Sequence, residues 1–227
     1  MITTAIFDLD DTLYDELDYC RSGFSAVSSI IGAMPSAPAS ERVREVLWDV
    51  FTGGNRTRTF NEALDRLGIA CDDRLIRGLI TAYRNHSPEL TLPHDSREVL
   101  EQLRGQYGLA LLTDGFLPAQ QLKVRALGIE DYFECIVYTE ELGREFWKPS
   151  PVGFEKILEQ MQAKAENAVY VADNPAKDFI APNKFGCGTI RLVRPNRIHT
   201  EAVERHEGAA QHVIRRITDL PPLLARL

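Results

Sequence analysis

The sequence predicts a doubly wound, Rossmann-like α/β fold, in which a parallel sheet core is interrupted early by an all-helical insertion. Three observations carry this expectation. An apolar run, Thr4-Ala5-Ile6-Phe7, breaks at once into Asp8, Asp10 and Asp11. From residue 93 onward, short apolar runs alternate with helical periodicity, the pattern of βαβ units and a parallel sheet. Between 15 and 91 only helical periodicity is found. The expected division is therefore a core of residues 1–14 and 92–227, and a helical domain of residues 15–91.

Residues 2–7 form the first strand. Asp15 to Gly32 reads as a helix, with Phe24, Val27, Ile30 and Ile31 on one side. A turn-rich loop, Pro35 to Ser40, follows, and Ser40 is a candidate N-cap. Val43, Val46, Leu47, Val50 and Phe51 then keep the i, i+3, i+4, i+7, i+8 rhythm of an amphipathic helix, which ends at Thr52-Gly53-Gly54-Asn55. A shorter helix carries Phe60, Ala63, Leu64 and Leu67, and another carries Leu75, Ile76, Leu79, Ile80 and Tyr83. Beyond Pro93, Asp95 is a candidate cap for a helix with Val99, Leu100 and Leu103. Leu109–Leu112 is a continuous apolar run, as a strand buried on both faces requires. A helix over 118–127 stops at Gly128. Cys135–Tyr138 is a strand, Ser150 and Pro151 open a helix, and Ala168–Ala172 is a fourth strand. A helix near 177–185, a strand over 189–193 and a short helix at 221–227 complete the reading.

Composition narrows the function. The 227 residues are 44% hydrophobic and 26% charged, enough to bury a core without covalent staples. A net charge of −7 argues against a nucleic-acid partner. It leaves room for a small anionic substrate, because a few local cations and a metal dominate a site. The four cysteines, Cys20, Cys71, Cys135 and Cys187, lack C-x-x-C spacing and read as free thiols of a reducing compartment. No apolar run approaches the ~20 residues of a membrane span, and the N-terminus opens directly on a strand. A cytoplasmic protein is expected, with no membrane partner, as a monomer or a homodimer.

The polar residues just after the strands share one chemistry. Asp8, Asp10 and Thr12 follow the first; Thr113, Asp114 and Gly115 follow Leu109–Leu112; Asp173, Asn174 and then Asp178 follow Ala168–Ala172. In a parallel sheet these ends face one way and converge. Lys148 lies in the loop after Cys135–Tyr138. Carboxylates, one lysine and one hydroxyl suit phosphoryl transfer. A hard cation such as Mg²⁺ takes oxygen ligands, a carboxylate can attack phosphorus, and lysine with Mg²⁺ can hold the charged oxygens.

Asp8-Leu9-Asp10-Asp11-Thr12, Thr113-Asp114-Gly115, Lys148-Pro149 and Asp173-Asn174-Pro175-Ala176-Lys177-Asp178 resemble the four ordered motifs of the haloacid dehalogenase-like (HAD) hydrolase superfamily. The helical insertion after the first motif resembles the cap of its first subfamily. The resemblance implies that Asp8 is the nucleophile and a Mg²⁺ ligand. Asp10 would protonate the leaving oxygen and then activate water, its backbone carbonyl binding Mg²⁺. Thr113, Asp114 and Gly115 would form the phosphate site. Lys148 would neutralise Asp8 and the phosphate. Asp173 would bind the metal, and Asp178 would support the metal shell or Lys148. A carboxyl that must hold a proton for half the cycle should have a raised pKa, so Asp10 is expected to be raised by burial or neighbouring carboxylates. Two positions depart from the pattern. Ala172 replaces a glycine often found before the fourth-motif aspartate, and Asp114 replaces an asparagine, adding negative charge unless it pairs with a cation.

Outside the motifs, Arg56 and Arg58 follow a glycine-rich turn in the cap; they are candidates for anion contact, with a solvated loop as the alternative. Tyr14 and Glu16 are candidates for substrate contact. Asp11 reads as structural, His86 and His94 as hinge or surface residues, and Trp48 and Trp147 as packing. The expected function is a Mg²⁺-dependent phosphatase acting on a small phosphorylated metabolite, of the sugar phosphate or nucleoside monophosphate class, through an aspartyl-phosphate. The alternatives are a phosphomutase or phosphotransferase on the same scaffold, and a non-catalytic module binding a phosphorylated ligand. A dehalogenase fits less well, since it has no need of Asp10.

Overall fold

The computed structural model describes residues 1–198 and 206–227. The chain divides into two compact units, Met1–Leu17 with Thr91–Leu227, and Asp18–Leu90.

The first unit is built on a six-stranded sheet, every adjacent pair parallel. The strands are β1 (Thr4–Phe7), β2 (Gly108–Thr113), β3 (Cys135–Tyr138), β4 (Ala168–Ala172), β5 (Gly188–Leu192) and β6 (His212–Ile214). Their order across the sheet is β3-β2-β1-β4-β5-β6. Strand β1 is central: Phe7 stands beside Leu111 of β2 and Val171 of β4. All four β1 residues are buried, as both-face coverage demands. The chain runs from β1 outward through β2 and β3, then crosses to β4 on the other side of β1. That reversal leaves a crevice beyond the carboxyl ends of β1 and β4, where ligands bind in open α/β sheets.

One face of the sheet packs Ile6, Ala110, Leu112, Tyr170 and Ala172 against Phe154 and Ile157 of one helix and Ala181 of another. Because Ala172 is fully buried within this cluster, the methyl that replaces a glycine there is accommodated as core. The two helices are α7 (Val152–Gln160) and α8 (Ile180–Phe185); α5 (His94–Leu103), α6 (Ala119–Leu127) and α9 (Leu220–Leu224) also belong to this unit.

The second unit contains most of α1 (Glu16–Gly32) and all of α2 (Ser40–Thr52), α3 (Thr59–Arg66) and α4 (Asp73–Asn85), with no strand. Its interior is aromatic. Phe24 meets Phe51, Phe60 and Tyr83 with ring centroids 5.4, 6.3 and 5.6 Å away. Gly23 makes this possible, since a Cβ there would lie 2.4 Å from Cε2 of Tyr83.

Several local expectations are corrected. Ser40 is the first residue of α2 rather than its cap. Asp95 lies inside the first turn of α5, accepting a hydrogen bond from Ser96 N. The helix read at 177–185 begins only at Ile180. Strand β6 was not anticipated: three residues with one buried side chain give too little pattern. Among the described residues, no helix is long and apolar enough to cross a membrane. All four cysteines are free; Cys71 is exposed and the others are buried.

Candidate active site

The site begins where β1 ends. Asp8 N–H still donates to the Val171 carbonyl at 2.9 Å, so Asp8 continues the ladder and its carboxylate stands at the strand edge. The chain then turns: the Leu9 carbonyl accepts from Thr12 and Leu13 N–H at 3.3 and 2.9 Å. Asp11 occupies the left-handed region at φ 53, which aspartate tolerates better than most residues. Leu9 and Leu13 are buried and anchor the turn.

Lys148 Nζ lies 2.6 Å from Asp8 Oδ1, 2.9 Å from the Tyr170 hydroxyl and 3.0 Å from Asp178 Oδ1. The last contact is an ion pair without hydrogen-bond alignment. Asp178 Oδ2 accepts from Asn174 N–H at 2.9 Å. A buried lysine is costly unless paired, and here two carboxylates meet it. Those carboxylates hold its pKa well above the usual lysine range, against the pull of burial. Asp8 itself is pushed up to about 7, chiefly by burial and then by Asp178, with Lys148 opposing.

Asp173 completes the cluster. Oxygens of Asp8, Asp173 and Asp178 all lie within 4.8 Å of one another, and Asp173 Oδ2 is buried with no hydrogen-bond partner. Burial and the charges of Asp178 and Asp8 raise the Asp173 pKa well above the carboxylate range. With all three carboxyls ionised and Lys148 paired to two of them, the cluster carries two formal negative charges in excess. A hard divalent cation fits that donor set and that charge. The cavity over it, about 370 Å³, has six carboxylates on its wall (Asp8, Asp10, Asp11, Glu16, Asp114, Asp173) and two lysines, Lys148 and Lys177. Such a wall accepts an anionic ligand only with added positive charge.

Asp10 departs from expectation. Its carboxylate takes Lys123 Nζ on both oxygens, at 2.8 and 3.0 Å, with Gln120 Nε2 at 2.9 Å and the Tyr14 hydroxyl as further donors. Burial raises its pKa, but the Lys123 charge and these hydrogen bonds outweigh burial, and the net shift is downward. The expectation of a raised value failed because Lys123 was not recognised as its partner. Tyr14 is buried and serves Asp10, while Glu16 lines the cavity and is pushed up to about 8 by burial and Asp10.

Thr113, the last residue of β2, is buried and accepts from Gln120 Nε2 at 2.6 Å. Asp114 is fully engaged: Oδ1 accepts from the Thr139 hydroxyl at 2.9 Å and Lys148 N–H at 3.2 Å, and Oδ2 pairs with Lys177 Nζ at 2.9 Å. Burial raises its pKa, and the Lys148 and Lys177 charges more than reverse that. The extra carboxylate is thus neutralised by Lys177, which sequence reasoning left unassigned.

Asp11 ties the turn to a later segment. Its Oδ1 accepts from Glu16 N–H at 2.9 Å and its Oδ2 from Ile198 N–H at 2.6 Å. Beside it, the buried Arg194 donates to the Thr12 carbonyl at 2.9 Å and to Ser96 Oγ at 2.6 Å. Trp147 packs edge-on against Phe116, centroids 5.3 Å apart, and borders the cavity. Arg56 and Arg58 lie in the helical unit; both are exposed, and Arg56 sits over the Phe51 ring at 5.4 Å. His86 hydrogen-bonds Tyr83 O and Ser22 Oγ within that unit, and His94 is exposed near Glu98.

Known proteins resemble this chain along most of its length. The glyceraldehyde 3-phosphate phosphatase of Methanopyrus kandleri is 32% identical over 202 residues, covering 86% of this chain and 85% of its own. The ribulose-1,5-bisphosphate 5-phosphatase of Halopiger xanaduensis is 29% identical, covering 99% of this chain and all of its own. The crystal structure of 2-haloacid dehalogenase from Pseudomonas syringae superposes with a TM-score of 0.65 at 23% identity over 100% of this chain and 99% of that one, a likeness of fold. The family profile of the haloacid dehalogenase-like hydrolases matches residues 2–186, and the chain belongs to that family.

Proposed function

We propose that this hydrolase is a Mg²⁺-dependent phosphatase that cleaves a small phosphomonoester through a phosphoryl group carried on Asp8. The observation that carries the reading is the Asp8–Lys148–Asp178 cluster with the unpartnered Asp173 oxygen beside it. Asp8, held by Lys148 through Oδ1, lines the cavity and is the attacking group. Asp8, Asp173 and the Asp10 carbonyl would hold the cation, with Asp178 behind them. When bound, Mg²⁺ supplies charge neutralisation for the phosphoryl oxygens.

The remaining work falls to the chain. Lys148 offsets the charge of Asp8 and of the phosphoryl group. Thr113, Asp114 and Gly115 border the phosphate position, with Asp114 neutralised by Lys177. Asp10 in its protonated form gives its proton to the leaving oxygen and then, as a carboxylate, takes one from water; the lowered pKa favours the second form. The helical domain, residues 15–91, is proposed as a cap domain that sets the substrate, with Arg56 and Arg58 as anion contacts. The substrate class is sugar phosphates, a reading supported by the phosphorylated aldehyde and pentulose in the names of the two relatives.

The test is phosphate release from a panel of triose, pentose and hexose phosphates and nucleoside monophosphates with Mg²⁺. Turnover of sugar phosphates that vanishes in Asp8→Asn is expected. Undiminished turnover by Asp8→Asn would sink the covalent mechanism.

A further inference from the structure

Helix α6 carries two buried polar side chains that the four motifs leave unexplained. Gln120 and Lys123 are 2% and 3% exposed. They are three residues apart, so they project from one face of the helix. An amide and an ammonium buried on a helix are expensive unless both find partners. Both find the same one. Lys123 Nζ reaches both Asp10 oxygens, at 2.8 and 3.0 Å, and Gln120 Nε2 reaches Asp10 Oδ2 at 2.9 Å. The same Gln120 nitrogen also reaches Thr113 Oγ1 at 2.6 Å. Gly115 supplies an independent sign that the arrangement is built in. It lies at φ 142, and a Cβ there would stand 2.7 Å from Gln120 Cδ. The glycine is what leaves room for the Gln120 side chain.

We infer that Gln120 and Lys123 are positioning residues that bracket the Asp10 carboxylate and fix it relative to Thr113 for the water-attack step. The inference rests on the phosphatase reading above. In that step a water oxygen bonds to phosphorus as the bond from phosphorus to the Asp8 oxygen breaks. The electron pair returns to the Asp8 carboxylate, and one water proton passes to Asp10. Without the bracket, Asp10 keeps the Tyr14 hydroxyl as a donor on Oδ1, but its orientation relative to Thr113 is no longer fixed. Oriented general bases contribute about 10²–10⁴-fold, and a displaced one forfeits part of that.

An aryl phosphate isolates the step, because p-nitrophenolate leaves without needing a proton. Transfer to Asp8 then proceeds without Asp10, while release of the phosphoryl group still requires it. For Lys123→Met with p-nitrophenyl phosphate, kcat is expected to fall about 10- to 100-fold. The value of kcat/KM should stay within about threefold of wild type, because KM falls in parallel. A burst of p-nitrophenolate, one per enzyme, should precede the steady state. Gln120→Leu should show the same pattern more weakly, and Lys123→Arg should recover much of kcat. Parallel loss of kcat and kcat/KM without a burst in both Lys123→Met and Gln120→Leu would overturn the bracket, as would an unchanged kcat in both. Rapid turnover by Asp8→Asn in the same assay would instead overturn the covalent reading on which the bracket stands.

Discussion

The two units of this chain solve burial in opposite ways. In the helical unit, the buried polar or charged side chains among the described residues are only Ser28 and Thr59. Its interior is Phe24, Val27, Ile31, Leu47, Phe51 and Leu64, the residues that helical periodicity assigns to the inside. The α/β unit buries Asp8, Asp11, Lys123, Lys148, Asp173, Asp178 and Arg194. Such charges persist only when paired or when a ligand meets them. Most are paired in the chain; the Asp173 oxygen is left for something else. A region that stabilises itself by apolar packing is thus joined to one that holds charge at a cost, and the proposed chemistry belongs to the second.

Breaking the charged arrangement should have the largest consequence. Lys148→Met leaves Asp8 and Asp178 buried without their cation, and removing one partner of a buried pair costs roughly 3–5 kcal/mol. Urea unfolding without metal should show that loss together with abolished turnover. Mg²⁺ should act in the opposite direction on wild type. At a hundredfold excess over its Kd, a ligand bound only by the folded state adds about 2.7 kcal/mol. Thermal unfolding with Mg²⁺ and with a chelator should differ accordingly, and Asp173→Asn should shrink the difference. Equal melting temperatures in wild type would sink the metal site.

Arg194→Met tests the tether of the first motif. It strands the Thr12 carbonyl and Ser96 Oγ, and hydrogen bonds to a charged donor are worth about 1.5–3 kcal/mol each. A loss of about 3–6 kcal/mol is expected from the two, read by chemical denaturation. Gly23→Ala probes the apolar unit. The added methyl meets Tyr83 at 2.4 Å, and overpacking of this kind costs about 1–3 kcal/mol. A variant as stable as wild type would mean that Tyr83 yields freely.

What the sequence revealed follows the same division. The helices of the apolar unit announce themselves, because every turn repeats the same face. The motif residues are legible because each follows an apolar run and parallel topology brings such ends together. Gln120, Lys123, Lys177 and Arg194 were not assigned. Their types are ordinary for a surface, and only the fold reveals that three are buried and that all four are paired. The lowered pKa of Asp10 was missed for that reason. Ser40 and Asp95 were misplaced by one or two positions, because a capping residue and a first-turn residue are chemically alike.

The smallest effect is expected where a charged pair of the α/β unit faces solvent. The Asp114 side chain is buried, but the Lys177 side chain that meets it is 33% exposed. Asp114→Asn can keep an oxygen toward the Thr139 hydroxyl and Lys148 N–H while losing the charge that holds Lys177. A pair with one wet partner contributes at most about 1 kcal/mol, so stability should change by no more than that. Affinity should move the other way. Lys177 lines the cavity, and freeing its charge there favours an anionic ligand. About 1 kcal/mol of such gain is roughly a fivefold lower Kd, read as competitive inhibition by inorganic phosphate. A loss of several kcal/mol would place this pair with Lys148, among charges on which the fold depends. A small loss with tighter phosphate binding would show that exposure of one partner, rather than membership of the charged unit, decides what a pair is worth.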